Sequence, residues 1–229
     1  MSTKSLLFHT FDSQVNSDQF YDMPMNLYTE LLIYMSQIII PSEFTITFDD
    51  GYKSIIPAVQ KAKAFGFNTI VYIITNKINQ DGFLSKDEIL DLALKGTIIG
   101  SHSHTHLDLS KSALSKVHEE LQISRDILSK ITQSKVLDFS LPYGGYTKNI
   151  LKIARNYYKR IAISSPLLFR EKNIIGRLAI HKSNYTDFDF ISSVLKNELT
   201  PIFSSKILLT DFAKKIIPTP FYRKVKNLI

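Results

Sequence analysis

The sequence predicts an α/β fold in which one domain contains a mostly parallel sheet, open or closed into a barrel. Two observations support this prediction. Short apolar segments rich in β-branched residues alternate with helix-length segments along most of the 229 residues. The 8 Gly and 8 Pro are spread thinly, so no flexible linker divides the chain. A helix between successive strands returns the chain to the same end of the sheet, and parallel pairing is therefore expected.

The predicted strands share a predominance of apolar and β-branched residues, and the predicted helices carry apolar residues at helical spacing. Strands are expected at residues 44–48, 69–74, 97–100, 136–141, 160–164 and 177–181. Helices are expected at residues 55–65, 86–94, 112–131 and 149–157. The first two helices are followed by Gly66 and Gly96, residues typical of helix ends. In such folds the functional side chains collect at the carboxyl ends of the strands.

Composition narrows the chemistry. The chain has no cysteine, which excludes disulfides, thiolate metal sites and cysteine nucleophiles, so any metal must be held by histidines and carboxylates. The net charge is +7, but the basic residues are scattered and no nucleic-acid-binding motif is present. A nucleic-acid binder is therefore the least favoured function class. Residues 1–7 lack the long apolar core of a secretion signal, so we expect a cytoplasmic location.

The first polar cluster is Asp49-Asp50-Gly51, directly after the predicted strand 44–48. Two adjacent carboxylates at the mouth of a buried strand repel each other and lose hydration, a cost usually offset by a cation or a proton. Neighbouring side chains point in different directions, so one carboxylate can bind a metal while the other acts as a base. The alternative is an ordinary turn in which an aspartate caps the next helix and Gly51 supplies a positive φ.

The second cluster places His102, His104 and His106 within five positions, three of the 6 histidines in the chain. On a helical turn His102 and His106 share a face and His104 points elsewhere, whereas on an extended segment all three share a face. An adventitious polar loop is the remaining alternative. One carboxylate with two imidazoles is the ligand set of an open catalytic metal site, and the spare carboxylate would lie where it can deprotonate a water.

The third cluster, residues 139–145 (FSLPYGG), also follows a predicted strand. Pro142 and the two glycines define a turn. Tyr143 in this turn can offer its ring to a sugar or its backbone N–H to an oxyanion.

In order and spacing, the three clusters resemble the motifs of the polysaccharide deacetylase family, the NodB-homology group of carbohydrate esterases. Its T-F-D-D-G motif stands complete at residues 47–51, its histidine motif is matched by His102 and His106, and its P-Y-G motif appears at residues 139–144 without the usual arginine. The opening LLFHTFD is similar to the start of the branch related to poly-N-acetylglucosamine deacetylases. The likeness covers about residues 6–181; we assign residues 1–200 to the NodB-like domain and 201–229 to a basic C-terminal segment.

The resemblance implies a distorted (β/α) barrel of the NodB-homology type. It also implies metal-dependent removal of an N-acetyl group from an N-acetylated saccharide, either a GlcNAc-type unit of a glycan or a nucleotide- or lipid-linked precursor. By position, Asp49 matches the base that activates a metal-bound water. Asp50, His102 and His106 match the ligands of one divalent ion, Zn²⁺ first, with Co²⁺ or Ni²⁺ as alternatives.

The resemblance also implies two further catalytic residues. Tyr143 matches the residue whose N–H stabilises the oxyanion, and His181 is the candidate for the general acid of the last motif, with His9 as a second candidate. Two departures from the family pattern support an alternative, a member that binds glycan without turnover. Ser140 stands where the family arginine orients the base, and the family's Asp-Trp motif is absent because the chain has no tryptophan. The phrase that contains His181 also contains Arg177, which is expected to pair with an acid near the site as a feature of the family.

Residues 201–229 mix apolar and aromatic residues with basic ones: Lys214, Lys215, Arg223, Lys224 and Lys226. We expect this segment to pack on the same domain as a terminal helix with its lysines in water. The alternative is peripheral contact with an anionic membrane, which would bring the site close to a lipid-linked glycan.

Overall fold

Seven parallel strands close into a barrel in the computed structural model, which describes residues 4–12, 19–144, 146–166, 173–196 and 198. In chain order the elements are β1 (Lys4–Phe8), β2 (Thr10–Phe11), β3 (Asp22–Met23), α1 (Met25–Ile38), β4 (Thr45–Phe48), α2 (Ile56–Ala64), β5 (Asn68–Ile73), α3 (Lys86–Leu94), β6 (Ile98–Ser101), α4 (Leu114–Thr132), β7 (Asp138–Ser140), α5 (Lys148–Ala154), β8 (Arg160–Ile163), β9 (Ile174–Ala179) and α6 (Phe188–Lys196). The barrel order is β1-β4-β5-β6-β7-β8-β9, and β9 closes it by pairing with β1. The short β2 and β3 form a separate two-stranded sheet.

The closed barrel confirms the fold that the resemblance implies and decides between the open and closed sheets that the residues alone allowed. The six predicted strands and four predicted helices are present, with ends displaced by up to three residues. Helix α3 has the predicted bounds, because Ser85 and Glu88 form a reciprocal capping box that defines its start. The sequence analysis did not predict β1, α1 or α6. Helix α1 carries few start signals, since Pro24 precedes it without a side-chain cap and its first turn has no acidic residue.

Successive residues of each strand alternate between the two faces of the barrel wall. Outward-facing side chains such as Ile46, Phe48 and Phe139 join the large apolar core beneath the helices. Inward-facing positions hold a small apolar cluster of Ile70, Tyr72, Ala162 and Ile175, together with buried polar side chains.

Residues 201–229 lie outside the described residues, so the domain boundary at residue 200, the packing of the basic segment and its membrane contact stay predictions. The cytoplasmic location, expected from residues 1–7, also stays a prediction. Within the described part of the chain, none of the helices combines the length and the hydropathy that crossing a bilayer requires.

Gly100 is an inward residue of β6, and the ring of Tyr72 on β5 occupies the space where a side chain would lie. The two residues are register partners on neighbouring strands. A Cβ on Gly100 would lie 2.5 Å from Cδ1 of Tyr72 and 3.2 Å from Cβ of Asp138. Tyr72 and Asp138 are both buried, so neither can move aside freely.

We expect Gly100→Ala to lower the free energy of unfolding by about 1–3 kcal/mol, because the new methyl group overpacks the barrel interior. Urea unfolding followed by circular dichroism measures this. In a Tyr72→Leu background the same alanine should cost less, since the ring is gone. An equal cost in both backgrounds would show that Tyr72 is not what excludes the side chain.

Candidate active site

The candidate site lies at the carboxyl ends of the barrel strands, as the strand-end rule predicts. Asp49 directly follows β4 and is followed by Asp50, while His102 directly follows β6. Ser140 is the last residue of β7. Arg177 projects into the same region from β9, the strand that closes the barrel.

Asp49 forms a buried two-point ion pair with Arg177. The Nη1 and Nη2 groups of Arg177 donate to Oδ1 and Oδ2 of Asp49 at 2.7 and 2.9 Å. Both residues are almost completely buried. Burial alone would raise the pKa of the Asp49 carboxyl, but the charge of Arg177, helped by His102, outweighs it and holds that pKa well below its ordinary value. Asp49 is therefore a carboxylate at neutral pH.

Ser140 completes this pair at the position where the family motif has arginine. Its Oγ accepts a hydrogen bond from Nη2 of Arg177 at 2.7 Å and donates one to Oδ2 of Asp49 at 3.0 Å. The guanidinium that orients Asp49 thus comes from β9 instead of from the third motif. Arg177 pairs with an acid at the site, as expected from the sequence.

Asp50, His102 and His106 converge on one point. Their nearest ligand atoms are 3.2 Å apart between the two Nε2 atoms, 3.4 Å from His102 Nε2 to Asp50 Oδ1, and 3.6 Å from His106 Nε2 to the same oxygen. Asp50 Oδ1 is buried, and among the described residues it has no hydrogen-bond partner. A buried carboxylate oxygen left in this state beside two imidazole nitrogens fits a bound cation.

The protonation of the two histidines also suits a metal site. Nδ1 of His102 lies 2.9 Å from the carbonyl oxygen of Ser140, which fixes the tautomer with the proton on Nδ1 and leaves the lone pair of Nε2 facing Asp50. Burial, with the neighbouring His102, lowers the pKa of His106 to about 4, so its ring is neutral at physiological pH. Two imidazoles and one carboxylate suit Zn²⁺, and also Co²⁺ or Ni²⁺.

A turn, and not an extended segment, shapes the histidine loop. Ser103 and His106 have φ values of 64° and 61°, which turn the backbone so that His102 and His106 face each other. His104 points away, and its Nδ1 lies 2.9 Å from Oγ1 of Thr75. Of the two arrangements that the spacing allowed, the structure shows the one in which His104 is not with the other two.

Glu120 of α4 stabilises this turn by hydrogen bonding to its backbone, a role that the sequence did not predict. Its carboxylate accepts the backbone N–H groups of His104 at 2.9 Å and Thr105 at 2.7 Å, as well as the Thr105 hydroxyl at 2.7 Å. The available signal was an acidic residue inside the apolar stripe of α4, next to Leu121 and three residues after Val117. A charge at such a position is seldom left without a specific partner.

Tyr143 lies beside the ligand cluster. Its ring centroid is 4.5 Å from that of His106, in an edge-to-face arrangement, and its φ of 58° bends the turn of residues 142–144. The structure thus brings Tyr143 to the site, while the proposed role of its N–H stays a prediction.

The two candidate proton donors have different surroundings. His9 follows β1 with its ring 4.4 Å from that of Tyr21; burial lowers its pKa, while the charges of Asp50 and Asp49 act in the opposite direction. Nδ1 of His9 is buried without a hydrogen-bond partner among the described residues. His181 follows β9; its Nδ1 lies 2.9 Å from Ser183 Oγ, and its Nε2 lies 3.4 Å from Nδ2 of Asn184. The charges of the site therefore act directly on His9.

A comparison with known families identifies the family of this chain. The sequence profile of the polysaccharide deacetylase family matches residues 41–161, more than half of the chain. The chain belongs to this family. A curated relative, the protein YxkH of Bacillus subtilis, is 28% identical over 117 residues, which make up 50% of this chain and 42% of YxkH. The chain thus spans less than half the length of that relative.

Solved structures of polysaccharide deacetylases share the fold. A polysaccharide deacetylase from Bacillus cereus superposes with a TM-score of 0.71 at 21% identity, covering 83% of this chain and 68% of that one. The Streptococcus pyogenes deacetylase PplD, solved with acetate, gives 0.69 at 18% identity over 86% and 97% of the two chains. IcaB from Ammonifex degensii gives 0.67 at 16% identity over 83% and 96%.

Arg177→Met should destabilise the protein by about 3–5 kcal/mol at neutral pH, because it leaves the Asp49 carboxylate buried and unpaired. The pKa of Asp49 is depressed in the folded protein, so its stabilising contribution is present above the ordinary aspartate pKa and is lost as the pH falls. In the variant that pKa rises, so the difference in stability from wild type should narrow as the pH falls.

Urea unfolding at a series of pH values measures this difference. The double variant Asp49→Leu/Arg177→Met removes both charges and should recover part of the lost stability. A difference that stays constant with pH would contradict the assignment of the effect to Asp49.

We expect about one divalent ion per chain in protein purified without a histidine tag and incubated with Zn²⁺ or Co²⁺. Asp50→Ala and His106→Ala should each weaken binding by more than the roughly 10–100-fold typical of losing a group behind the ligands. His104→Ala is the matched control, because it removes the same side chain from the same loop without touching the cluster, and it should keep the ion. Metal analysis and the Co²⁺ absorption spectrum provide the readout; equal losses in all three variants would exclude this ligand set.

Proposed function

We propose that the protein is a metal-dependent hydrolase that removes the N-acetyl group from an N-acetylated saccharide. The substrate would be a GlcNAc-type unit of a glycan or a nucleotide- or lipid-linked precursor. The observation that carries this proposal is that two adjacent carboxylates, Asp49 and Asp50, have different partners. Asp50 joins two imidazoles in a ligand cluster, while Asp49 stays outside that set with its Oδ2 3.6 Å from Nε2 of His102.

The proposed reaction breaks the C–N bond of the amide, adds the oxygen of water to the acetyl carbon, and releases acetate and a free amine. A divalent ion held by Asp50, His102 and His106 would supply Lewis acidity at this site. Asp49 Oδ2 would accept the proton of the attacking water, because it is the carboxylate oxygen that lies towards the ligand cluster, 3.6 Å from Nε2 of His102. The Arg177 charge keeps this carboxylate ionised at neutral pH, and the same low pKa makes it a weaker base than an ordinary aspartate.

Tyr143 would contribute from beside His106, one of the residues of the ligand cluster. Its ring packs against His106, and the turn that contains it directly follows the strand of Ser140. We propose that its backbone N–H, as in the family pattern, stabilises the developing oxyanion.

We propose His9 as the donor of the proton to the leaving amine, in preference to His181. The charges of Asp50 and Asp49 favour the protonated ring of His9 and oppose the lowering of its pKa by burial. The ring nitrogens of His181 lie next to Ser183 and Asn184 instead. A histidine electrostatically coupled to both carboxylates is better placed to exchange protons with the reacting groups.

The alternative, a member that binds glycan without turnover, loses most of its support. Ser140 in place of the family arginine was one of the two departures that favoured it. Arg177 now supplies the missing guanidinium to Asp49. A protein that only binds glycan has no need of a proton acceptor beside a metal-ligand cluster.

Asp49→Asn should abolish turnover while the bound metal is retained. The amide has the shape of the carboxylate but cannot take up a proton, so we expect the rate of acetate release from N-acetylglucosamine oligomers to fall by roughly 10²–10⁴-fold. Acetate and free amine are measured together with the metal content. Unchanged turnover in a metal-loaded Asp49→Asn protein would overturn the role of Asp49 as base.

A matched pair of variants separates the two candidate acids. His9→Gln should lower kcat strongly, whereas His181→Gln should leave most of it, because glutamine keeps hydrogen bonding to Ser183 and Asn184. The reverse order of effects would return the role to His181.

A further inference from the structure

The guanidinium of Arg177 is held by hydrogen bonds along only part of its edge. Nη1 and Nη2 donate to Asp49, and Nη2 also donates to Ser140. Nε is buried, and no hydrogen-bond partner for it exists among the described residues. Nη1 also donates a longer hydrogen bond to Oγ1 of Thr47, at 3.5 Å. All these bonds are made by the two Nη groups, so a contact elsewhere on the guanidinium would add to its support.

The ring of Tyr72 supplies that support. Cζ of Arg177 lies 5.2 Å from the ring centroid of Tyr72, within the range of a cation–π contact, and both side chains are fully buried. Away from water such a contact is stronger than at a surface. The guanidinium carbon thus lies over the Tyr72 ring, a contact separate from the hydrogen bonds that the Nη groups make with Asp49 and Ser140.

The position of the Tyr72 ring is itself determined by its surroundings. The ring lies across Gly100, where a Cβ would approach to 2.5 Å, and it packs with Ile70, Ala162 and Ile175 in the barrel interior. The hydroxyl of Tyr72 is buried without a partner among the described residues. The ring of Tyr72, and not its hydroxyl, therefore makes the contact with Arg177.

We propose that Tyr72 is a positioning residue: its ring, seated on Gly100, fixes the plane of the Arg177 guanidinium and through it the orientation of the Asp49 carboxylate. The catalytic half of this inference rests on the proposed function. The structural half, that Tyr72 holds the ion pair in place, stands on the geometry of the barrel interior alone.

The test compares Tyr72→Leu, which removes the ring, with Tyr72→Phe, which keeps it. With Zn²⁺-loaded protein and the tetramer of N-acetylglucosamine as probe, Tyr72→Leu should lower kcat by roughly 10–100-fold, the effect of a small misplacement of a catalytic group. KM and metal content should stay within about twofold, since the ligand cluster is untouched. Tyr72→Phe should restore kcat to within about threefold of wild type, because the ring face remains.

Phe44→Leu is the control for lost stability. It removes a buried aromatic ring at the opposite end of β4, packed against Phe67. It should lower the midpoint of thermal unfolding as Tyr72→Leu does while leaving kcat unchanged. If Phe44→Leu lowers kcat as much as Tyr72→Leu, the effect is one of general stability and the proposal is wrong.

A double-mutant cycle with Arg177→Lys tests whether Tyr72 acts through Arg177. A lysine cannot form the two-point pair, so it should lower kcat by itself. If Tyr72 acts through the guanidinium, Tyr72→Leu should add little in the Arg177→Lys background. Full additivity of the two losses would overturn the proposal.

A readout that needs no turnover separates this proposal from the proposed function. In wild type and Tyr72→Phe, the side-chain N–H groups of Arg177 should be visible by NMR and protected from exchange with water. In Tyr72→Leu the protection should be lost. If wild type releases no acetate from any N-acetylated probe, the proposed function fails, and equal protection in all three proteins would overturn the role of Tyr72 independently.

Discussion

The buried pair of Asp49 and Arg177 joins the strand that leads to the metal-ligand cluster with the strand that closes the barrel. Strands β4 and β9 both flank β1, so the pair spans three neighbouring strands. Burying two charges is costly and is offset only when the geometry is good and the remaining donors and acceptors are satisfied. The two-point contact, with Ser140 bridging both partners, meets this requirement for every polar atom of the pair except Nε of Arg177, which has no hydrogen-bond partner among the described residues. Closure of the barrel and orientation of the proposed base are therefore one structural requirement.

The same pair explains how two adjacent carboxylates coexist. Asp49 keeps its side chain inside the barrel, where a guanidinium compensates its charge. Asp50 has a φ of 70°, and this left-handed conformation directs its side chain to the two histidines. Each carboxylate thus faces its own partners, and the repulsion expected for neighbouring acids is not left uncompensated. The adjacent aspartates of this motif therefore have different partners, Arg177 for Asp49 and the two histidines for Asp50.

Features with local causes could be predicted from the sequence, and features with distant causes could not. The alternation of strands and helices, and the capping box of α3, depend on residues a few positions apart. The gathering of Asp50, His102 and His106 followed from the rule that functional side chains collect at strand ends. Spacing alone did not decide the shape of the histidine loop, because Glu120 of α4 determines it from outside the loop. The sequence also indicated that Arg177 would pair with an acid near the site, but only the closure of the barrel by β9 shows that this acid is Asp49.

Residue 140 is a serine where the family motif has arginine, yet Asp49 still has a guanidinium as its partner. What the proposed base requires is a guanidinium at a particular point, and the strand that delivers it is secondary. The small side chain at residue 140 leaves room for the Arg177 head group and adds a hydroxyl that bonds both members of the pair. An arginine at residue 140 would bring a second positive charge into the same buried space, so the serine and Arg177 are two halves of one arrangement. Because the family profile ends at residue 161, the compensating arginine lies outside the matched region. The folded barrel shows that Arg177 supplies the guanidinium that residue 140 lacks.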